Sequence, residues 1–228
     1  NWNNQVDEGD IVLVAGDISW AMRLEEAVQD LKFFDSLKGT KIIIKGNHEY
    51  WWKSISAVRN ILPPNMIALQ NDCYKIGNNI FCGTRGWVLP EKGKPLSAED
   101  EKIYKREIER LKLTLSAMQK QRKEGDKVFC MMHFPPFDFE HDDSEFTKLL
   151  EEYNVDYCIY GHLHELKNLR NAFCAFASNS GSESIFSCIA SNFSAGKTYK
   201  HLLSTLFVIT KLSPSCSLSF AGILKRFF

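Results

Sequence analysis

An excess of charge of either sign is missing from this sequence. Its 228 residues carry 28 basic and 28 acidic side chains, for a formal net charge of zero. That balance excludes a polybasic protein holding nucleic acid by bulk charge. Long hydrophobic runs are missing too. The stretch from Leu202 to Ile209 is interrupted by Ser204 and Thr205 and is far shorter than the roughly 20 apolar residues a bilayer requires. No C-x-x-C pair occurs, and the seven cysteines are odd in number, which argues against a disulfide framework. A reducing, cytoplasmic location without membrane association is therefore expected. Charge is nearly absent from the last 57 residues, which hold only six of the 56 charged side chains but 12 serines and eight of the 16 phenylalanines. All five tryptophans lie in the first half. The chain as a whole is 44% apolar and 25% charged. Those are globular values, and they exclude a disordered polymer.

Four β-favouring runs stand out within residues 1–171. Ile11–Ala15, Ile42–Ile44, Val128–Met132 and Tyr157–Tyr160 are continuous apolar segments of the kind buried on both faces of a parallel or mixed sheet. Leu24, Ala27, Val28, Leu31 and Phe34 recur at helical spacing between the first two. Shorter strands are predicted at Met66–Leu69, Cys73–Ile76 and Ile80–Cys82, with a turn at Gly77-Asn78-Asn79. Ser97 is a helix cap. Tyr104, Ile108, Leu111, Leu115 and Met118 then mark the apolar face of a long helix. Lys102, Lys105, Arg106, Glu107, Glu109 and Arg110 are read as its solvated face. Phe146, Leu149, Leu150 and Tyr153 mark a further helix. The order of elements is that of an α/β fold.

Each long strand ends in residues able to bind metal: Asp17; Asn47 and His48; His133; His162 and His164. Ligands of open α/β sheets bind outside the carboxyl ends of the strands, so these side chains can converge. Singly, each has a bland explanation: a turn aspartate, a helix-capping asparagine, a structural histidine. As an ordered set they point to a metal or catalytic site. Imidazoles, a carboxylate and an amide oxygen suit Mn, Fe, Zn, Co or Ni. Two such ions about 3.5–4 Å apart can hold a phosphate between them. Asp17 is the candidate bridging carboxylate, and His48 is placed to protonate a leaving group if Asn47 binds metal.

Gly16-Asp17, Gly46-Asn47-His48-Glu49, His133 and Gly161-His162-Leu163-His164 resemble, in order, the motifs of the calcineurin-like metallophosphoesterase superfamily. The likeness extends to a bacterial subgroup of phosphohydrolases through Gly16–Met22, Tyr50-Trp51-Trp52, Gly83–Trp87, the Lys102–Leu111 helix start and His133–Pro136, and covers residues 1–171. It implies a four-layer α/β/β/α sandwich with mixed sheets and two divalent metals. Asp17 would bridge them, Asn47, His133 and His162 would complete the second site, and His164 would bind the first. His48 would be the acid or transition-state stabiliser. A metal-bridging hydroxide would attack the phosphorus of a phosphomonoester or phosphodiester. Nucleic acid would enter only as substrate.

The family's opening Asp-x-His has no counterpart ahead of Asp17. The fold is therefore expected to lack its first strand, a central one whose loss would open the sheet, with Asn1 lying inside the following helix. The chain is expected to be truncated at its start. Residues 172–228 are expected to be an atypical Ser/Phe-rich segment, frame-shifted or divergent, in which Val208 and its neighbours could form one strand. The alternative to an enzyme is a catalytically impaired fragment or a binding protein that keeps the fold. Arg85 is either a phosphate clamp or half of a surface ion pair. Trp20, Trp51 and Trp52 either wall the site or pack beneath its loops. His141 is read as solvated.

Overall fold

The computed structural model describes residues 2–4, 6–91, 93–137, 143–162, 173–175 and 206–209. One sheet is built from β1 (Ile11–Val14), β2 (Thr40–Ile44), β3 (Met66–Leu69) and β9 (Leu206–Ile209), in the order β3-β2-β1-β9. β4 (Cys73–Ile76), β5 (Asn79–Thr84), β6 (Lys127–Met132), β7 (Tyr157–Tyr160) and β8 (Phe173–Ala175) form the second, in chain order. Neighbours β1–β2–β3 and β5–β6–β7 run parallel, and the flanking strands β9, β4 and β8 are antiparallel.

Side-chain alternation turns these sheets into layers. Ile11, Leu13, Ile42 and Ile44 pack into one core with residues of the second sheet. Val12, Val14 and Ile43 face the other way, into a core with Ala27, Leu31 and Phe34 of α1 (Leu24–Asp35) and Val58 of α2 (Ile55–Ile61). The outer face of the second sheet is covered by α3 (Ala98–Gln121) and α4 (Glu145–Glu152). The result is the expected α/β/β/α sandwich. Ser97 caps α3 by accepting from Asp100 N–H, and Ser144 caps α4 by accepting from Phe146 and Thr147 N–H. Phe81, Phe129 and Tyr157 stack across three strands, with ring centroids 5.2 and 4.9 Å apart. Cys73, Cys82, Cys130 and Cys158 line up in register across β4–β7 and carry free thiols.

One expectation is met and one needs correction. Leu206–Ile209 forms the strand that Val208 and its neighbours could make, pairing antiparallel along β1 with Val208 opposite Val12. Trp2–Asn4 forms a 3-10 turn, and Asn1, expected inside a helix, lies outside the described residues. Trp2 anchors that turn, donating from Nε1 to the Lys38 carbonyl at 3.0 Å and meeting Phe34 edge-on. Glu107 is not on the solvated face of α3. It is fully buried, accepting from Thr84 Oγ1 and pairing with Arg85 and Arg110. Helical spacing places Glu107 beside Ile108 and Leu111, so a charged residue there is drawn inward once cations meet it. Among the described residues, no helix is long and apolar enough to cross a membrane. The rest of 172–228, with His201, lies outside them.

Lys41 is the buried cation of the first sheet. Its ammonium donates to the carbonyls of Leu37 and Gly39 at 2.6 and 2.9 Å, just beyond the end of α1, where positive charge is favoured. Burial nonetheless pulls its pKa down to about 8. The folded state then sheds this proton near pH 8, while the unfolded chain keeps it to about pH 10.5. Between those values the unfolded state binds more protons, so stability rises with pH. Relative to Lys41→Met, the wild type is expected to gain stability from pH 8 to 10.5 and to show a flat difference below pH 7. Urea titrations at stepped pH check this.

Candidate metal centre

The carboxyl ends of β1, β2, β6 and β7 bring four residues together. Asp17 and Asn47 each lie three residues past the end of a strand, His133 follows Met132 directly, and His162 lies two past Tyr160. His133 Nε2 is 2.5 Å from Asn47 Oδ1 and 3.4 Å from Asp17 Oδ2. His162 Nδ1 is 3.2 Å from both Asn47 Oδ1 and His133 Nε2. Ligand atoms of Asp17, His133 and His162 lie within 4.8 Å of one another.

The backbone bends sharply to achieve this. Asp17 and His162 sit in the left-handed region at φ 58° and 68°, which non-glycine residues enter rarely and often at functional sites. Gly16, at φ 90°, packs so closely that a Cβ there would lie 2.7 Å from Gly46 Cα and from His133 Nδ1. A Cβ on Gly46 would collide with the Asp17 carboxylate. The two glycines let the first two loops touch backbone to backbone.

The donor set tests whether a cation fits. His133 Nδ1 is 2.8 Å from the Ala15 carbonyl, which can only accept, so Nδ1 carries the proton. In the neutral ring Nε2 then presents a lone pair. That lone pair faces the oxygens of Asn47 and Asp17, and Asp17 Oδ2 is buried without a hydrogen-bond partner among the described residues. Burial of His133 outweighs the attraction of Asp17 and holds its pKa down at about 4, so a ring proton does not relieve the crowding near neutral pH. Converging lone pairs around an orphaned carboxylate oxygen are what a divalent cation satisfies.

A buried shell beneath holds the loops. Glu49 accepts from the N–H groups of Asp17, Ile18 and Gly46, fastening the β2 loop to the β1 loop. Burial, and then the Asp17 carboxylate, push its pKa up to about 8 against those three donors. Trp51 donates to the Ser19 carbonyl at 3.0 Å and Trp52 to Gln70 at 2.8 Å. Lys45 donates to the Trp52 carbonyl. Sequence reasoning did not give Glu49 a role. The available signal was a carboxylate between His48 and three consecutive aromatic residues, a setting that demands buried partners.

The model of the calcineurin-like phosphoesterase family matches residues 1–166. The chain belongs to the calcineurin-like phosphoesterase family. A protein of Helicobacter pylori described as an uncharacterized metallophosphoesterase is 24% identical over 164 residues, which cover 69% of this chain and 36% of that protein. The chain thus spans about a third of the length of that relative. No solved structure matches. Members of this family usually bind divalent metals.

The other residues singled out from the sequence have separate fates. His48 donates its backbone N–H to Asp17 Oδ1 at 2.9 Å, and its ring stacks on Trp20 with centroids 4.2 Å apart and planes 16° from parallel. Trp51 and Trp52 are 1% exposed and pack beneath the loops, whereas Trp20 is 37% exposed. Arg85 lies outside the four-residue cluster. Its guanidinium pairs with Glu107 at 3.2 Å and covers the Trp87 ring at 4.4 Å, so its ion pair is buried rather than superficial. Its backbone carbonyl accepts from the N–H groups of His133 and Phe134. His164 and His141 lie outside the described residues.

Proposed function

We propose that this chain is a metal-dependent phosphohydrolase that cleaves phosphomonoesters or phosphodiesters, with Asp17, Asn47, His133 and His162 as ligands of a divalent ion. The observation that carries the reading is the orphaned, buried Asp17 Oδ2 opposite the lone pair of His133 Nε2. A divalent ion bound there would supply Lewis acidity at a phosphoryl oxygen and an activated water. Asp17 contributes the charge that draws the cation in, and Ala15 fixes the His133 tautomer through its carbonyl. His48, held against Trp20, is the group that donates a proton toward the leaving oxygen or stabilises charge building there. Arg85, committed to Glu107, adds positive potential from behind His133 rather than gripping the substrate directly. His164 with Asp17 is our assignment for a second ion. We read residues 1–171 as the catalytic unit, which the match over 1–166 supports, and residues 172–228 as an atypical segment. The free thiols support a cytoplasmic location.

The test is to strip the chain with EDTA, titrate Mn, Zn, Fe(II), Co or Ni back, and follow bound metal together with hydrolysis of nitrophenyl phosphate mono- and diesters. One ion is expected to bind tightly and to restore hydrolysis. Absence of bound metal, or turnover indifferent to EDTA, would contradict the reading.

A further inference from the structure

Two loops carry both the candidate ligands and exposed aromatic side chains. Trp20 follows Asp17 by three residues and is 37% exposed; Tyr50 follows Asn47 by three and is 50% exposed; Met22 is 62% exposed. In the same segments Trp51 and Trp52 are 1% exposed, with both indole N–H groups bonded. These loops therefore bury aromatic surface where packing allows it and present Trp20 and Tyr50 at the rim. The two rings flank His48. Trp20 stacks on the imidazole, and Tyr50 meets it edge-on at 6.2 Å with planes 79° apart. A turn in which Tyr50 N–H donates to the His48 carbonyl at 2.9 Å sets Tyr50 in place.

Exposed apolar surface beside a site marks where something binds. The rim of Trp20, Tyr50 and Met22 has no formal charge, so it is suited to the organic part of an ester and not to its phosphate. We propose that Trp20 and Tyr50 form a stacking platform that selects phosphate esters whose alcohol carries a planar aromatic ring. The proposal rests on the phosphohydrolase reading, because His48 is placed next to the leaving oxygen only if phosphate lies on the metal ligands. A ring lying along this series gains from offset or edge-to-face contact in a way that a saturated ring of equal size does not. Aryl and nucleoside esters share that ring.

The test compares esters with matched leaving groups, so that chemistry cancels and only ring recognition is read. With metal supplied, kcat/KM for 2-phenylethyl phosphate is expected to exceed that for 2-cyclohexylethyl phosphate by about 3- to 10-fold. Trp20→Ala should reduce the ratio to near one, and Trp20→Phe should keep most of it. Tyr50→Ala, at a second exposed position, should lower it partway. Adenosine 5′-phosphate against ribose 5-phosphate forms the second arm. A preference there as well identifies a nucleobase as the ring, and a preference in the first arm alone identifies an aryl group. Equal kcat/KM within both pairs, or a ratio untouched by Trp20→Ala, overturns the platform. Calorimetric binding of 2-phenylethylphosphonate and 2-cyclohexylethylphosphonate separates the two ideas. A Trp20-dependent binding preference without hydrolysis would refute the phosphohydrolase reading and keep the platform. Hydrolysis without a preference would do the reverse, and neither would reject both.

Discussion

Asp17→Asn is expected to lower divalent-metal affinity by about 10²–10⁴-fold and to make the metal-free protein more stable. The two effects have one cause. Asp17 Oδ1 accepts from the His48 backbone N–H, while Oδ2 is buried and points toward the lone pair of His133 Nε2, 3.4 Å away. An asparagine in the same rotamer keeps the first bond through its oxygen and offers an N–H to His133 in place of a second acceptor. Removing an uncompensated buried acceptor stabilises by about 1–3 kcal/mol, so the melting temperature without metal should rise. The cation loses its one carboxylate among the described ligands. A buried charge deprived of its partner costs about 3–5 kcal/mol, which converts to the stated loss of affinity. Trading stability for a strained, functional charge is the common pattern at active sites. Isothermal titration with Mn and a melting curve in EDTA check both halves. A variant that melts lower without metal, or binds it as the wild type does, would remove Asp17 from this role.

His48→Ala is expected to cut turnover by about 10²–10⁴-fold and to leave metal affinity within a few-fold of wild type. Only the imidazole is lost. The backbone N–H that supports Asp17 remains in alanine, and the four metal-facing donors belong to other residues. The loss should fall on kcat rather than on KM, since a group acting on the leaving oxygen matters most in the transition state. It should be larger for an alkyl ester than for a nitrophenyl ester, whose leaving group needs little protonation. Parallel metal titrations and steady-state kinetics on both esters decide it. Metal affinity that falls together with turnover would make His48 a structural residue of the loop.

Much of this architecture is legible in one dimension because buried strands are written as uninterrupted apolar residues. Ile11–Val14 and Tyr157–Tyr160 lie in strands with every residue buried. The polar residues immediately after such runs have only the strand ends to occupy, which is why Asp17, Asn47, His133 and His162 could be named before they were seen together. Local periodicity says nothing about which strand lies beside which. Leu206–Ile209 occurs in a Ser- and Phe-rich stretch with little pattern around it, and its antiparallel pairing with β1 is a contact across almost the full chain. Glu107 shows a second limit. A carboxylate on an amphipathic helix reads as solvated, and only the approach of Thr84, Arg85 and Arg110 makes its burial tolerable.

The sequence by itself determined the α/β class, the order of the long strands, the helix caps at Ser97 and the residue types at each strand end, since these follow from short-range periodicity and side-chain chemistry. The family likeness also rests on that local record. Tertiary structure alone decided the rest. It aligned the ends of two sheets so that four donors lie within a few ångströms, fixed the His133 tautomer through the Ala15 carbonyl, and tied the loops together through Glu49. It also sent Trp51 and Trp52 inward while leaving Trp20 against His48. Each of those outcomes depends on groups distant in the chain meeting at van der Waals or hydrogen-bond distance, and a linear pattern carries no such distances.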